Sequence, residues 1–198
     1  SIEPMELSRR IIDLAAQSEK IAPHFHICMQ SGSDRILAAM RRPYRAAEFG
    51  ELVEYVRARI PHAGIGTDVI AGFPGETDED HRETVRLIES LPFTYLHVFP
   101  YSDRSGTTAS RLKEKVAPEV ARARSRELRN LSGELGAAFR KTMVGESLRV
   151  LTLTSEIRGR RRALAANYLD ALLPGQIPGN VLIRARVLKE SSGYLFCG

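Results

Sequence analysis

Hydrophobic and polar positions in the first half of the chain follow two periods in turn. In HFHICMQ (24–30), Phe25, Ile27 and Met29 alternate with His24, His26, Cys28 and Gln30. That two-residue period predicts a strand, ending in the turn SGSD. From about Ala46 to Ile60 the period lengthens, and Phe49, Leu52, Val53, Val56 and Ile60 share one face of a predicted helix. GIGTDVIAG (64–72) predicts the next strand, and a helix over roughly 78–91 buries Thr84, Val85, Ile88 and Leu91. TYLHVFPYS (94–102) predicts a third strand. Strand and helix in alternation imply parallel strands joined by right-handed crossovers, so this half is part of an open α/β sheet or of a (β/α) barrel.

The second half reads differently. Pro118 opens a long basic helix running to about Met143, with Leu128, Leu131, Leu135, Ala138 and Phe139 as its apolar stripe and Gly145 as its stop. From Ser147 onward, short strand-like runs separated by turn signals such as PGQIPGN predict a small β-barrel or sandwich. The expected organisation is residues 1–112 as the α/β part, 113–144 as a basic connecting helix and 145–198 as a second, all-β domain.

Charge sharpens this division. Residues 1–110 hold 12 Lys/Arg against 16 Asp/Glu, whereas residues 111–198 hold 17 against 8. A basic second half suggests a polyanionic partner, nucleic acid ahead of membrane, against the plainer reading of a solvated basic face. RGRRR supplies Arg158, Arg160, Arg161 and Arg162, with Asn167 and Tyr168 close behind. Such a cluster on a small barrel suits RNA phosphates and base stacking, and a solvated hairpin tip is the competing reading. The two cysteines, Cys28 and Cys197, are far apart and in no Cys-x-x-Cys spacing, which argues against a disulfide framework and for a reducing cytoplasm. No apolar run approaches the length of a membrane span, and no signal peptide is visible. The chain opens at Ser1 rather than Met, as expected of a piece of a longer protein.

The turn GFPGET could cradle a phosphate, but it runs straight into Glu76, Asp78, Glu79 and Asp80, and Thr77 with Asp80 forms a capping-box-like pair. Four carboxylates oppose an anion there. Alternation places Asp68, Ile70 and Gly72 on one strand face: an acid, a flat apolar wall and a point of close approach, suited to a planar heterocycle. A capped strand end with one partnered Asp is the alternative. His24, His26 and Cys28 could converge on a metal, but no fourth ligand is evident and Cys28 is equally a core residue, so no metal site is assigned. Gln30, Ser31 and Ser33 end their strand at its carboxyl side, where α/β barrels hold ligands. His97, Phe99 and Tyr101 share the third strand's face, shaping a pocket or simply a buried aromatic strand.

These stretches together resemble the radical-SAM methylthiotransferases, the group of MiaB, RimO and MtaB. SIEP (1–4) looks like the end of that family's third barrel strand, HFHICMQSGSD like its His-x-Pro-x-Gln-Ser-Gly-Ser strand, TDVIAGFPGETDED like its fifth strand and turn, and HVFPYSDRSGTTA like its sixth strand and loop. The residues after 144 look like the TRAM domain, a small RNA-binding barrel. The resemblance implies an α/β fold: the C-terminal half of a radical-SAM (β/α) partial barrel followed by an all-β TRAM barrel. RRPY and HVFPYS-x-R-x-GT are most similar to the MtaB subgroup, which adds a methylthio group to C2 of N6-threonylcarbamoyladenosine at tRNA position 37. MiaB-like or RimO-like substrates, or a non-catalytic RNA-binding protein with a vestigial barrel, are the alternatives.

The family uses S-adenosylmethionine and two [4Fe-4S] clusters, one held by Cys-x3-Cys-x2-Cys, together with tRNA and an electron donor such as a flavodoxin or ferredoxin. By resemblance, Glu3, Gln30, Ser31 and Asp68 hydrogen-bond the ribose or amino-acid part of the cofactor, while Ile70, Gly72 and Phe99 line its adenine. The cluster motif is not in this sequence, so the chain alone is expected to bind no cluster, to bind S-adenosylmethionine weakly and to be inert. The departure is Cys28-Met29, where the family has Pro followed by an aliphatic residue; it puts the path into Gln30 in question. Exposed strand edges are expected to favour aggregation or pairing of the isolated chain.

Overall fold

Three parallel strands, β1 (His24–His26), β2 (Gly64–Ala71) and β3 (Tyr95–Pro100), lie side by side in that order in the computed structural model, which describes residues 1–198. Helices α3 (Ala46–Arg59), α4 (Asp78–Ser90) and α5 (Pro118–Thr142) form where the 3.6-residue period predicts them. Two more, α1 (Arg9–Gln17) and α2 (Asp34–Ala39), were not foreseen. The first is amphipathic but only nine residues long, burying Ile12 and Ala15, and the second is six residues long, too short to show a period.

One face of the sheet is apolar. Phe25, Ile27, Ile65, Val69, Ala71, Leu96 and Val98 pack with Phe49, Val53 and Val56 of α3, Ile88 of α4 and Leu128 of α5 in one buried core. The helices all seek this face because it is the one that hydrophobic burial rewards. Polar and aromatic side chains occupy the opposite face, where Phe99 is 51% exposed.

Strand β1 is shorter than expected. Its pairing with β2 runs from His24↔Gly64 to His26↔Gly66, then resumes at Gln30↔Val69 as an isolated bridge. Four steps along β1 therefore match three along β2, the extra residue of a β-bulge. Gln30 takes a left-handed φ of 66°, and the Met29 N–H donates to the Thr67 hydroxyl at 3.0 Å. This is the stretch where Cys28-Met29 departs from the family pattern. On the other side of β1, Ile2 pairs in parallel with Ile27: its N–H donates to the His26 carbonyl at 2.8 Å, and its carbonyl accepts from Cys28 at 3.0 Å.

Helix α5 serves two cores. Leu128, with Leu131 and Leu135 beside it, belongs to the sheet's core, whereas Phe139 and Met143 belong to the second domain's core. Ala138, expected on the stripe, is exposed, and Ala121, Arg124, Ser125 and Gly136 are buried instead. At 100° per residue, Ala138 lies about 80° around the helix from Leu128, at the margin of the buried arc.

Strands β4 (Ser147–Ile157), β5 (Arg160–Ala165), β6 (Asp170–Pro174), β7 (Leu182–Ser191) and β8 (Tyr194–Cys197) close into a barrel in the order β4-β5-β6-β8-β7. Its interior uses small residues, Ala163, Ala165, Ala171 and Ala185, between Val150, Leu173, Val187 and Leu195, as a narrow barrel requires. The β5–β6 turn reaches the amino ends of the parallel strands. There Asn167 is buried and donates to the His62 carbonyl at 3.0 Å, and Tyr168 stacks on His24 with centroids 4.2 Å apart. Arg184 pairs with Glu19 at 3.0 Å on the same side. No helix is long and apolar enough to cross a membrane.

Candidate functional site

The polar face of the sheet is organised in layers set by strand register: Gly66 opposite Tyr95, Asp68 opposite His97, and Ile70 opposite Phe99. In the first layer the Tyr95 hydroxyl lies 2.9 Å from His24 Nε2 and 3.0 Å from His26 Nδ1. Gly66 makes this possible, because a Cβ there would collide with the Tyr95 ring. Burial pushes the Tyr95 hydroxyl up to about 12, with Asp68 adding to the effect, so it keeps its proton.

In the second layer His26 Nε2 lies 2.9 Å and His97 Nδ1 3.5 Å from Asp68 Oδ1, while Cys28 donates to Oδ2 at 3.5 Å. Burial lowers His26 despite the pull of Asp68, and lowers His24 as well. With both rings neutral and Asp68 accepting, one arrangement satisfies every contact: His24 Nε2–H donates to Tyr95, Tyr95 donates to His26 Nδ1, and His26 Nε2–H donates to Asp68. Burial first, then Asp68, pushes the Cys28 thiol up.

The third layer opens on a cleft of about 650 Å³ with Ile70, Phe73 and Met40 among its apolar walls. Glu3 and Arg42 stand at its edge as an ion pair, Arg42 Nη1 donating to both Glu3 oxygens at 2.6 and 2.7 Å.

Residues 2–88 match the Radical SAM superfamily. Over 187 residues the chain is 38% identical to the threonylcarbamoyladenosine tRNA methylthiotransferase MtaB of Aquifex aeolicus (strain VF5), covering 94% of this chain and 44% of that protein. Over 177 residues it is 40% identical to the tRNA-2-methylthio-N(6)-dimethylallyladenosine synthase of Nocardia farcinica (strain IFM 10152), covering 89% of this chain and 35% of that one. The chain fits the radical-SAM methylthiotransferase group. It spans less than half the length of these relatives. Among solved structures, coproporphyrinogen III oxidase (HemN) from Escherichia coli, a radical SAM enzyme, superposes with a TM-score of 0.57 at 16% identity, over 92% of this chain and 49% of that one. That likeness concerns the fold alone, and it agrees with a partial radical-SAM barrel carrying a small β domain.

The residues assigned by resemblance to the methylthiotransferases separate in the structure. Glu3 and Ile70 reach the cleft, Phe99 lies beside Ile70 across the register, and Gln30 sits in the bulge bridged to Val69. Asp68 is engaged by the histidines one layer below. The Ser31 hydroxyl is buried, 3.4 Å from that of Thr84 and accepting from the Ser33 N–H at 3.2 Å, so it supports the turn. Gly72 does not share the face of Asp68 and Ile70. Strand β2 stops at Ala71, Gly72 takes a φ of 79°, and a Cβ there would lie 2.5 Å from the Ala121 Cβ, so its close approach is to α5.

The acids after the turn serve the protein itself. Glu76 accepts from the Gly72 N–H and from Arg124, each at 2.7 Å. Asp80 accepts from the Ser33 hydroxyl and the Thr77 N–H, also at 2.7 Å, and pairs with Arg35. Burial pushes the Asp80 carboxyl up, but the bonds from Arg35, Thr77 and Ser33 outweigh it and hold it well below the usual range.

Radical SAM enzymes use S-adenosylmethionine and an iron–sulfur cluster. The cleft suits the first, offering apolar walls for a nucleoside and a carboxylate–guanidinium pair for an amino acid's two charges. The cysteines do not suit the second. Cys28 faces Asp68, Cys197 is buried in the barrel core with its thiol pushed up to about 11, and the two belong to different domains.

The basic cluster also divides. Arg158 is exposed at the β4–β5 tip, and the Arg160 guanidinium lies 5.2 Å from the centre of the Phe196 ring. Arg161 instead links the β4–β5 hairpin to the loop after β6, donating to the carbonyls of Thr154 at 2.8 Å and Ile177 at 3.0 Å and pairing with Glu156 at 2.8 Å. Arg162 faces Asp170 at 3.3 Å, and Tyr168 is stacked on His24. Sequence reasoning missed Phe196, whose ring is flanked by Arg160 and, at 5.0 Å, by Lys189. Its signal was the alternation of YLFC, which turns Leu195 and Cys197 inward and Phe196 outward.

Proposed function

We propose that the chain is part of an enzyme that adds a methylthio group to C2 of N6-threonylcarbamoyladenosine at tRNA position 37. The observation that carries this reading is the 38% identity to a threonylcarbamoyladenosine tRNA methylthiotransferase across 94% of the chain. In this reading residues 1–112 form the barrel part, 113–144 the connecting helix and 145–198 the RNA-binding TRAM barrel. Ile70 and Phe99 receive the adenine of S-adenosylmethionine, Glu3 and Arg42 its amino-acid charges, and Gln30 closes the site from the bulge. When bound, the cofactor supplies hydrogen-abstracting chemistry. The residues of this chain hold it against the apolar sheet end and exclude water from it.

Two [4Fe-4S] clusters, their cysteines and the docking of a flavodoxin or ferredoxin belong in this reading to the remainder of the enzyme, which works in the cytoplasm. The 198-residue chain alone is then inert and binds S-adenosylmethionine weakly. On the RNA side, Arg158, Arg160, Lys189 and Phe196 contact tRNA, with an affinity that falls as salt rises because phosphate contacts release counterions.

The parent gene, expressed in a strain lacking its own methylthiotransferases, tests the substrate by mass spectrometry of tRNA nucleosides. Methylthiolated N6-threonylcarbamoyladenosine is expected. Methylthiolated N6-dimethylallyladenosine in its place would move the chain to the substrate named for the Nocardia relative. Tight tRNA binding with neither product would favour a non-catalytic RNA-binding protein.

A further inference from the structure

We propose that His26, Asp68 and His97 bind a divalent first-row transition cation on the polar face of the sheet. Their donor atoms, an imidazole nitrogen from each histidine and one carboxylate oxygen, all lie within 4.8 Å of one another. Nitrogen and oxygen ligands about 2.1 Å from a tetrahedral ion stand about 3.4 Å apart. The 3.5 Å between His97 and Asp68 already matches that spacing, and the 2.9 Å hydrogen bond between His26 and Asp68 opens by about half an ångström to admit the ion. His97 has room to adjust its distance to His26, since its side chain is 56% exposed.

Proximity alone would fit an ion pair equally well. What favours a ligand set is the layer of contacts behind it. A metal-bound histidine characteristically gives its second ring N–H to a hydrogen-bond acceptor that fixes the ring's orientation. His26 has such a partner: with Nε2 on the ion, Nδ1–H donates to the Tyr95 hydroxyl 3.0 Å away. Tyr95 is itself positioned by His24 at 2.9 Å and by the space left at Gly66. The Asp68 oxygen not shared with the histidines accepts from the Cys28 thiol at 3.5 Å. Two imidazoles and one carboxylate select a borderline cation such as Zn²⁺ or Co²⁺ over Mg²⁺ or Ca²⁺, and leave a position open toward the uncovered side of the sheet.

The site lies one layer below Ile70 and Phe99 and uses neither cysteine as a ligand, so it does not depend on the proposed substrate or on an iron–sulfur cluster. The test is Co²⁺ titration of the purified, chelator-treated 198-residue chain, followed by visible absorption, with Zn²⁺ displacement and circular dichroism to verify folding. One equivalent of Co²⁺ giving a ligand-field band that Zn²⁺ removes is expected. His97→Ala, a change at an exposed side chain, should weaken binding at least about tenfold, and Tyr95→Phe by about 10–100-fold. His62→Ala, in a histidine outside the cluster, should leave binding unchanged. A folded chain with no band, or binding that His97→Ala leaves intact, overturns the assignment, as does equal weakening by His62→Ala.

Discussion

Arg124→Met tests how the long helix is fastened to the sheet. Arg124 projects from α5 with 7% of its side chain exposed, and its Nη1 donates at 2.7 Å to Glu76, whose side chain is 2% exposed. The guanidinium also donates to the Glu76 carbonyl at 3.2 Å and to Asp78 at 2.6 Å. With methionine in its place, the buried carboxylate keeps the Gly72 N–H at 2.7 Å and loses its counter-charge. Removing one member of a buried pair costs about 3–5 kcal/mol, a large share of the ~5–15 kcal/mol that holds a typical domain. Glu76→Gln combined with Arg124→Met removes both charges while leaving an acceptor for Gly72, and should recover to within about 1–2 kcal/mol of the parent.

The pH dependence has a definite sign. Burial pushes the Glu76 carboxyl up, and the Gly72 and Arg124 bonds offset this only in part. Without Arg124 it rises further, so the folded state holds that proton more tightly than the unfolded state does. Stability of Arg124→Met should therefore increase as pH falls from about 7.5 to about 5, narrowing the deficit against the parent. Urea denaturation of the parent, single and double variants at both pH values measures this. A double variant as unstable as the single, or a deficit equal at both pH values, would refute the reasoning.

Gly66→Ala should cost about 1–3 kcal/mol in urea denaturation, because the new methyl group displaces the Tyr95 ring. Gly72→Ala should cost a similar ~1–3 kcal/mol, from a left-handed φ and the clash with Ala121 together. Asp80→Asn should lower the melting temperature at neutral pH; since the folded carboxyl is held below its unfolded value, the gap should close as pH falls through and below the ordinary carboxylate range. Asn167→Ala strands the His62 carbonyl at the domain junction and should cost about 1–3 kcal/mol, with earlier proteolysis between the domains as the readout.

The sequence by itself determined the elements whose signal is periodic. Phe49, Val53 and Val56 mark α3, Thr84 and Ile88 mark α4, and the alternation in GIGTDVIA marks β2, because one-sided burial imposes a period on the residues that face it. It also determined the cap of α4, since Thr77 and Asp80 form it within four residues of chain.

Tertiary structure decided whatever depends on residues distant in sequence. Only the sheet register brings His26, Asp68 and His97 together, 42 residues separating the first two. Only docking of the small barrel turns Tyr168 onto His24, and only the packing of α5 brings Ala121 against Gly72, adding a steric reason for glycine to its left-handed φ. RGRRR gave four equivalent positive charges in a row of five residues, and folding distinguished them. Arg161 faces three carbonyls and a carboxylate from its hairpin and the loop after β6, whereas Arg160 lies over Phe196. A charge's identity is local, but its partner is chosen by the path of the whole chain.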